Sequence, residues 1–272
     1  MSALSDIETS RVAADIVLLG HGSRRGPDTD YGLAEAVRRL QSRVDGNTRV
    51  RMAGFEFTRP SLREAIMGLV AEGSRRIVVV PYFLFNGKHI ILEIPEDLEG
   101  IRNDAEGVEI IYAHTLGFDL RLMDLVKERV EEALTSAGVN DPGDPWGVVF
   151  VNRGSRPEFD PGLRLRQLAL ALDERLGPRA LVRHAQAEYA SPTIPEAATE
   201  LVSQGCRVIV VMPYIFFPGK VLNDNIIPGM KRAEAEHAQT TFIVANTLGV
   251  DDRLVEAALD RAQEALASWI AR

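Results

Sequence analysis

The chain has 272 residues, 46% of them apolar and 26% charged, with a formal net charge of −8 and a single cysteine, Cys206. That composition belongs to a globular protein long enough for two domains, and it argues against disorder and general nucleic-acid binding. One thiol excludes an internal disulfide and any CxxC metal site. The first 14 residues lack an apolar run of signal-peptide length, and no apolar stretch is long enough to span a bilayer, so a cytoplasmic protein with no membrane role is expected.

Apolar runs alternate with stretches of helical period, which predicts βα units and a mainly parallel sheet. The predicted strands of the first half are 15–20, 49–57, 76–84 and 108–114, and those of the second are 146–152, 180–189, 207–216 and 240–246. A helix follows each strand. The first, about 28–44, and its later counterpart carry Asp28 and Asp160 where an N-cap belongs. The second helices are expected to start at Pro60 and Pro192, the third to follow Gly87 and Gly219, and the fourth to follow Asp119 and Asp251.

The order repeats because the sequence is a duplication. At a shift of 132 residues, LLGHGSR (18–24) falls on FVNRGSR (150–156), AGFEFTRPSL (53–62) on AQAEYASPTI (185–194), and VVVPYFLFNGK (78–88) on VVMPYIFFPGK (210–220). HTLGFDLRL (114–122) falls on NTLGVDDRL (246–254), while beyond Lys88 the register slips by one, with Pro95 matching Pro228. The fold class is therefore α/β, with two similar lobes, each a four-stranded mainly parallel sheet flanked by helices. The segment 138–146, rich in Gly, Pro and Asp, reads as the linker, dividing the chain into lobes 1–142 and 143–272.

The copies differ in chemistry. His21 becomes Arg153, His89 becomes Val221 and His114 becomes Asn246, while Glu56 is retained as Glu188. Ligands of parallel sheets gather beyond the carboxyl ends of the strands, where His21, Glu56, His89 and His114 all fall. Two imidazoles and a carboxylate at one mouth can hold a divalent first-row metal or accept protons. The alternatives remain open for Glu56, as a structural strand-end carboxylate, and for His114, as a core histidine. His184 and His237 have no histidine counterparts and are taken as surface residues. The turn GHGSRRG, with Gly22, Ser23 and Arg24, has the form of an anion cradle. With Lys88 and Arg153 it suits a ligand bearing several carboxylates.

GHGSR after strand 1, FEF with PS around Glu56, and VPYFLFNGKHI with EIP around His89 occur in that order, with spacings of 35 and 33 residues between His21, Glu56 and His89. In these strings the chain resembles the class II sirohydrochlorin chelatases of siroheme and cobalamin synthesis, in their long, internally duplicated form. The resemblance implies a tetrapyrrole cleft between two lobes and ATP-independent insertion of Fe2+ or Co2+, the metal being a substrate and no prosthetic group being needed. It also implies that His21 and His89 bind metal and accept protons, with Glu56 as the accompanying carboxylate. Arg153 and Val221 cannot ligate a metal, so the second lobe is expected to hold sirohydrochlorin. Small members of the family pair as homodimers, so the fused chain is expected to be a monomer. A non-catalytic tetrapyrrole or metal carrier is the alternative.

Overall fold

The computed structural model describes residues 14–22, 27–56, 58–154 and 161–271, with backbone alone for 27–30, 161 and 162. All eight predicted strands form, as β1 Asp15–Gly20, β2 Val50–Gly54, β3 Arg76–Pro81, β4 Glu109–Tyr112, β5 Trp146–Asn152, β6 Ala180–Gln186, β7 Val208–Pro213 and β8 Thr241–Val244. They make two four-stranded sheets of order β2-β1-β3-β4 and β6-β5-β7-β8. Every pairing is parallel. In each sheet the first strand lies between the second and third, so the connections leaving the first and third strands run in opposite directions. The carboxyl end of that strand is where such a sheet opens to a ligand.

Several strands end earlier than their apolar runs. Residues 55 and 56 leave β2 because the Glu56 carbonyl accepts from the Thr58 N–H at 2.7 Å, which turns the chain. The helices are α1 Pro27–Gln41, α2 Leu62–Ala71, α3 Ile94–Asp104, α4 Arg121–Ser136, α5 Pro161–Leu176, α6 Ile194–Ser203, α7 Ile227–Glu236 and α8 Asp252–Ile270. Asp28 lies inside α1 rather than ahead of it, and Asp160 is outside the described residues. Pro60 and Pro192 do not open the second helices. They precede them in cis peptide bonds, and the caps are Ser61 and Thr193, each closing a capping box with the glutamate three residues on. Wide π-helical segments, His89–Glu93 and Val221–Ile226, lead into α3 and α7.

The division at residue 143 does not separate the compact units. One unit is Met1–Gly117 with Val250–Arg272, and the other is Phe118–Gly249. The fourth helices are exchanged: α8 packs on β3 and β4, and α4 packs on β7 and β8. The buried face of α8, including Leu254, Val255, Ala258 and Ala262, belongs to the first unit's core.

In the first unit β1 is wholly buried, and Val17, Leu19, Ile77 and Val79 pack against Ile66, Leu69, Ile94 and Leu98. The second unit repeats this with Val149, Val151, Ile209 and Val211 against Ala198 and Leu201. Each such buried aliphatic side chain contributes about 1.5–3 kcal/mol. Cys206 is buried in the second unit's core, and burial pushes its thiol pKa up.

Candidate metal-handling site

In the first unit β1 delivers His21 past its last residue, Gly20, and the backbone there is tied to the chain leaving β2. The Phe55 N–H donates to the Gly20 carbonyl at 2.9 Å, and the Glu56 N–H to the His21 carbonyl at 3.0 Å. This close approach requires Gly22. Its φ is +83°, and a Cβ there would stand 1.8 Å from the Glu56 carbonyl oxygen and 2.8 Å from Thr58 Oγ1.

The chain following β3 brings His89 to the same place. Ring centroids of His21 and His89 are 5.4 Å apart, at 86° to each other. Phe55 flanks His89 at 5.0 Å and Phe83 flanks His21 at 6.2 Å. The loop bearing His89 is pinned by two hydrogen bonds: Thr115 Oγ1 donates to Asn86 Oδ1 at 3.0 Å, and the Tyr112 hydroxyl donates to the Ile90 carbonyl at 3.2 Å. Tyr82, by contrast, is buried in the core, and burial pushes its hydroxyl pKa up.

His89 is already engaged at one nitrogen. Its Nδ1 lies 2.5 Å from Glu93 Oε2, one helical turn on, and Lys88 Nζ lies 2.8 Å from the other carboxylate oxygen. The Lys88 ammonium first, and His89 second, hold the Glu93 carboxyl below the usual carboxylate range. An ionised carboxylate only accepts, so His89 Nδ1 carries the proton of that bond.

Of the residues singled out from the sequence, His21 and His89 meet and Glu56 lies beside them along the backbone. Among the described residues, no group of three or more His, Cys, Asp or Glu side chains is arranged to hold a metal ion. The three-ligand set is therefore not preassembled. Lys88 is spent on Glu93, and Ser23 and Arg24 lie outside the described residues. His114 is exposed two residues past β4 rather than in the core. His184 is half-buried in β6 and held below its usual pKa by that burial first, and His237 Nε2 pairs with Thr199 Oγ1 at 2.8 Å. His184 is thus not the simple surface residue expected, whereas the His237 bond lies at the surface. Glu93 was missed, although a glutamate four residues after a candidate ligand on a helix is a readable signal.

The second unit keeps the backbone and replaces the chemistry. The Glu188 N–H donates to the Arg153 carbonyl at 2.8 Å, and Gly154, at φ +88°, repeats Gly22. Arg153 Nε donates to Glu188 Oε2 at 3.0 Å and its Nη2 to the Tyr189 hydroxyl at 3.2 Å, with the guanidinium carbon 5.6 Å from the Tyr189 ring centroid. Burial works against the Arg153 cation, but Glu188 and Tyr189 outweigh it and raise its pKa. The turn is a cation held in a fixed posture.

Two parallel four-stranded units, each with a glycine turn at the end of its first strand and an imidazole pair in one copy, define a duplicated α/β protein with a metal-capable strand-end mouth in its first unit. The chain belongs to the CbiX family, whose model matches twice, over residues 15–133 and 147–265. It is 28% identical over 251 residues to a sirohydrochlorin cobaltochelatase of Priestia megaterium, covering 92% of this chain and 79% of that protein. A sirohydrochlorin ferrochelatase of the same organism is 26% identical over 241 residues, covering 88% and 85%. A cobaltochelatase of Sulfurisphaera tokodaii is 42% identical over 125 residues, which are 45% of this chain and 95% of that one. In fold it is similar to SirB from Bacillus subtilis, solved with Fe3+, at a TM-score of 0.80 and 22% identity, covering 95% of this chain and 97% of that one. No helix among the described residues is long and apolar enough to cross a membrane.

Proposed function

We propose that this chain inserts a divalent metal, Fe2+ or Co2+, into sirohydrochlorin without ATP, as a monomer of the cytoplasm with no prosthetic group of its own. The observation that carries the reading is the approach of the His21 and His89 rings to 5.4 Å at one strand-end mouth. The relatives' names, cobaltochelatase and ferrochelatase, supply the reaction class. Both ions accept imidazole nitrogen and carboxylate oxygen.

The chemistry follows from the donor set. Two imidazoles capture the ion, and the Glu56 carboxylate swings onto it as a third ligand. An open, incomplete set releases the metal more readily than a closed four-ligand site would. As the ion passes to the ring nitrogens two pyrrole N–H bonds break, and a neutral imidazole or the carboxylate takes each proton. Arg153, with no lone pair to offer a metal, instead binds a carboxylate of the substrate, so the second unit holds and does not metallate.

The test is anaerobic metallation followed by absorbance, with sirohydrochlorin in large excess over protein and either Fe2+ or Co2+ supplied. Repeated turnover is expected. Metallation that stops at one equivalent per chain would overturn the reading in favour of a carrier.

A further inference from the structure

The Glu93 carboxylate has no place in the donor set just described, yet it is bonded to one of its members. It receives Nδ1–H of His89 at 2.5 Å and is itself braced by Lys88 at 2.8 Å. No hydrogen bond reaches the ring's other nitrogen among the described residues. The second unit provides an internal control. There Lys220 stands where Lys88 does, while His89 is replaced by Val221, and Glu93 by Asn225 or, allowing for the one-residue slip, by Ile226. Among the described residues the Asn225 Oδ1 atom is buried with no hydrogen-bond partner. Histidine and carboxylate are absent together although the lysine stays, so Glu93 goes with the imidazole rather than with the lysine.

We propose that Glu93 is a positioning residue for metal capture: it locks His89 in the Nδ1–H tautomer and leaves Nε2 as the atom that meets the ion. The inference rests on His89 being a metal ligand. Which ring nitrogen carries the proton is set by the partner of the other, and a carboxylate on the far nitrogen also makes the near one a better donor. The bond joins residues four apart on one helical segment, so it holds the ring before any metal arrives.

The tautomer is read directly by long-range 1H–15N correlation on the histidine-labelled full chain, without metal or tetrapyrrole. Wild type is expected to show His89 protonated at Nδ1 and bare at Nε2, and Glu93→Ala to lose that preference. Co2+ titration of the same proteins, followed by the visible spectrum, should show affinity falling about 10- to 100-fold in Glu93→Ala. Glu93→Gln, whose amide oxygen can still accept the bond, should recover part of both signals. A His89 protonated at Nε2 in wild type would overturn the proposal, as would unchanged tautomer and Co2+ affinity in Glu93→Ala. Neither readout needs turnover, so a chain that binds Co2+ as expected but fails to metallate sirohydrochlorin would sink the proposed reaction and leave Glu93 in place. Turnover with an unchanged tautomer would do the reverse.

Discussion

The imidazoles of His21 and His89 stand edge to face, 5.4 Å between centroids, although one follows β1 and the other opens the π-helical segment before α3. Parallel pairing of β1 and β3 makes this possible, because it places both strand ends at the same edge of the sheet.

Gly22→Ala should damage stability and metallation together. The added Cβ meets the Glu56 carbonyl at 1.8 Å with φ at +83°. The cost should exceed about 1 kcal/mol, the scale at which glycine-to-alanine changes turn unfavourable when φ is positive. Gly154→Ala, with its Cβ 2.2 Å from the Glu188 carbonyl, should lower the melting temperature comparably while sparing Co2+ binding. Equal loss of Co2+ binding in both variants would contradict a single metal site.

Arg153→Ala should raise KM for sirohydrochlorin about tenfold, one decade being 1.4 kcal/mol, with the Co2+ affinity of the chain unchanged. A lost Co2+ affinity with unchanged KM would reverse the roles given to the two units.

The Arg49–Asp15 pair makes stability depend on pH. Asp15 is buried, and Arg49 reaches it with Nη2 at 2.6 Å and its backbone N–H at 2.8 Å. Burial works to raise the Asp15 pKa, but hydrogen bonds from Arg49 and Ser74 prevail and lower it. The unfolded chain therefore takes up this proton first. The stabilisation is complete above the ordinary aspartate range near ~4 and is lost as pH falls through the folded value. Arg49→Met should lower stability at neutral pH, and by less in acid. Urea melts at several pH values check this, and a penalty independent of pH would contradict it.

Leu254→Ala should loosen the first unit, although residue 254 lies in the second repeat. The side chain is fully buried where α8 packs on β3 and β4, and such truncations cost about 2–5 kcal/mol. Amide hydrogen exchange should rise in β1, β3 and β4. A rise confined to β5–β8 would refute the exchange of helices.

The strands were legible because buried parallel strands are continuous apolar runs, and the duplication confirmed each one twice. The strand ends were not, since the aromatics at 55 and 57 extend the apolar pattern past the point where the Glu56 carbonyl turns the chain. The helix exchange was invisible for a different reason. Leu122 and Leu254 occupy the same repeat position and both are fully buried, so nothing in either amphipathic face says which copy's sheet it covers. His21 and His89 could be picked out because one copy lost them. Glu93 is absent from that copy as well, and its place four residues after His89 was the signal that could have found it.

The most direct test of the account is the rate of Co2+ insertion into sirohydrochlorin by His21→Ala and His89→Ala beside wild type. Each should fall by at least about 100-fold, the lower range for losing a positioned acid–base group, while the circular dichroism spectrum and melting temperature stay near wild type. Wild-type rates in both variants would contradict the claim that this imidazole pair handles the metal.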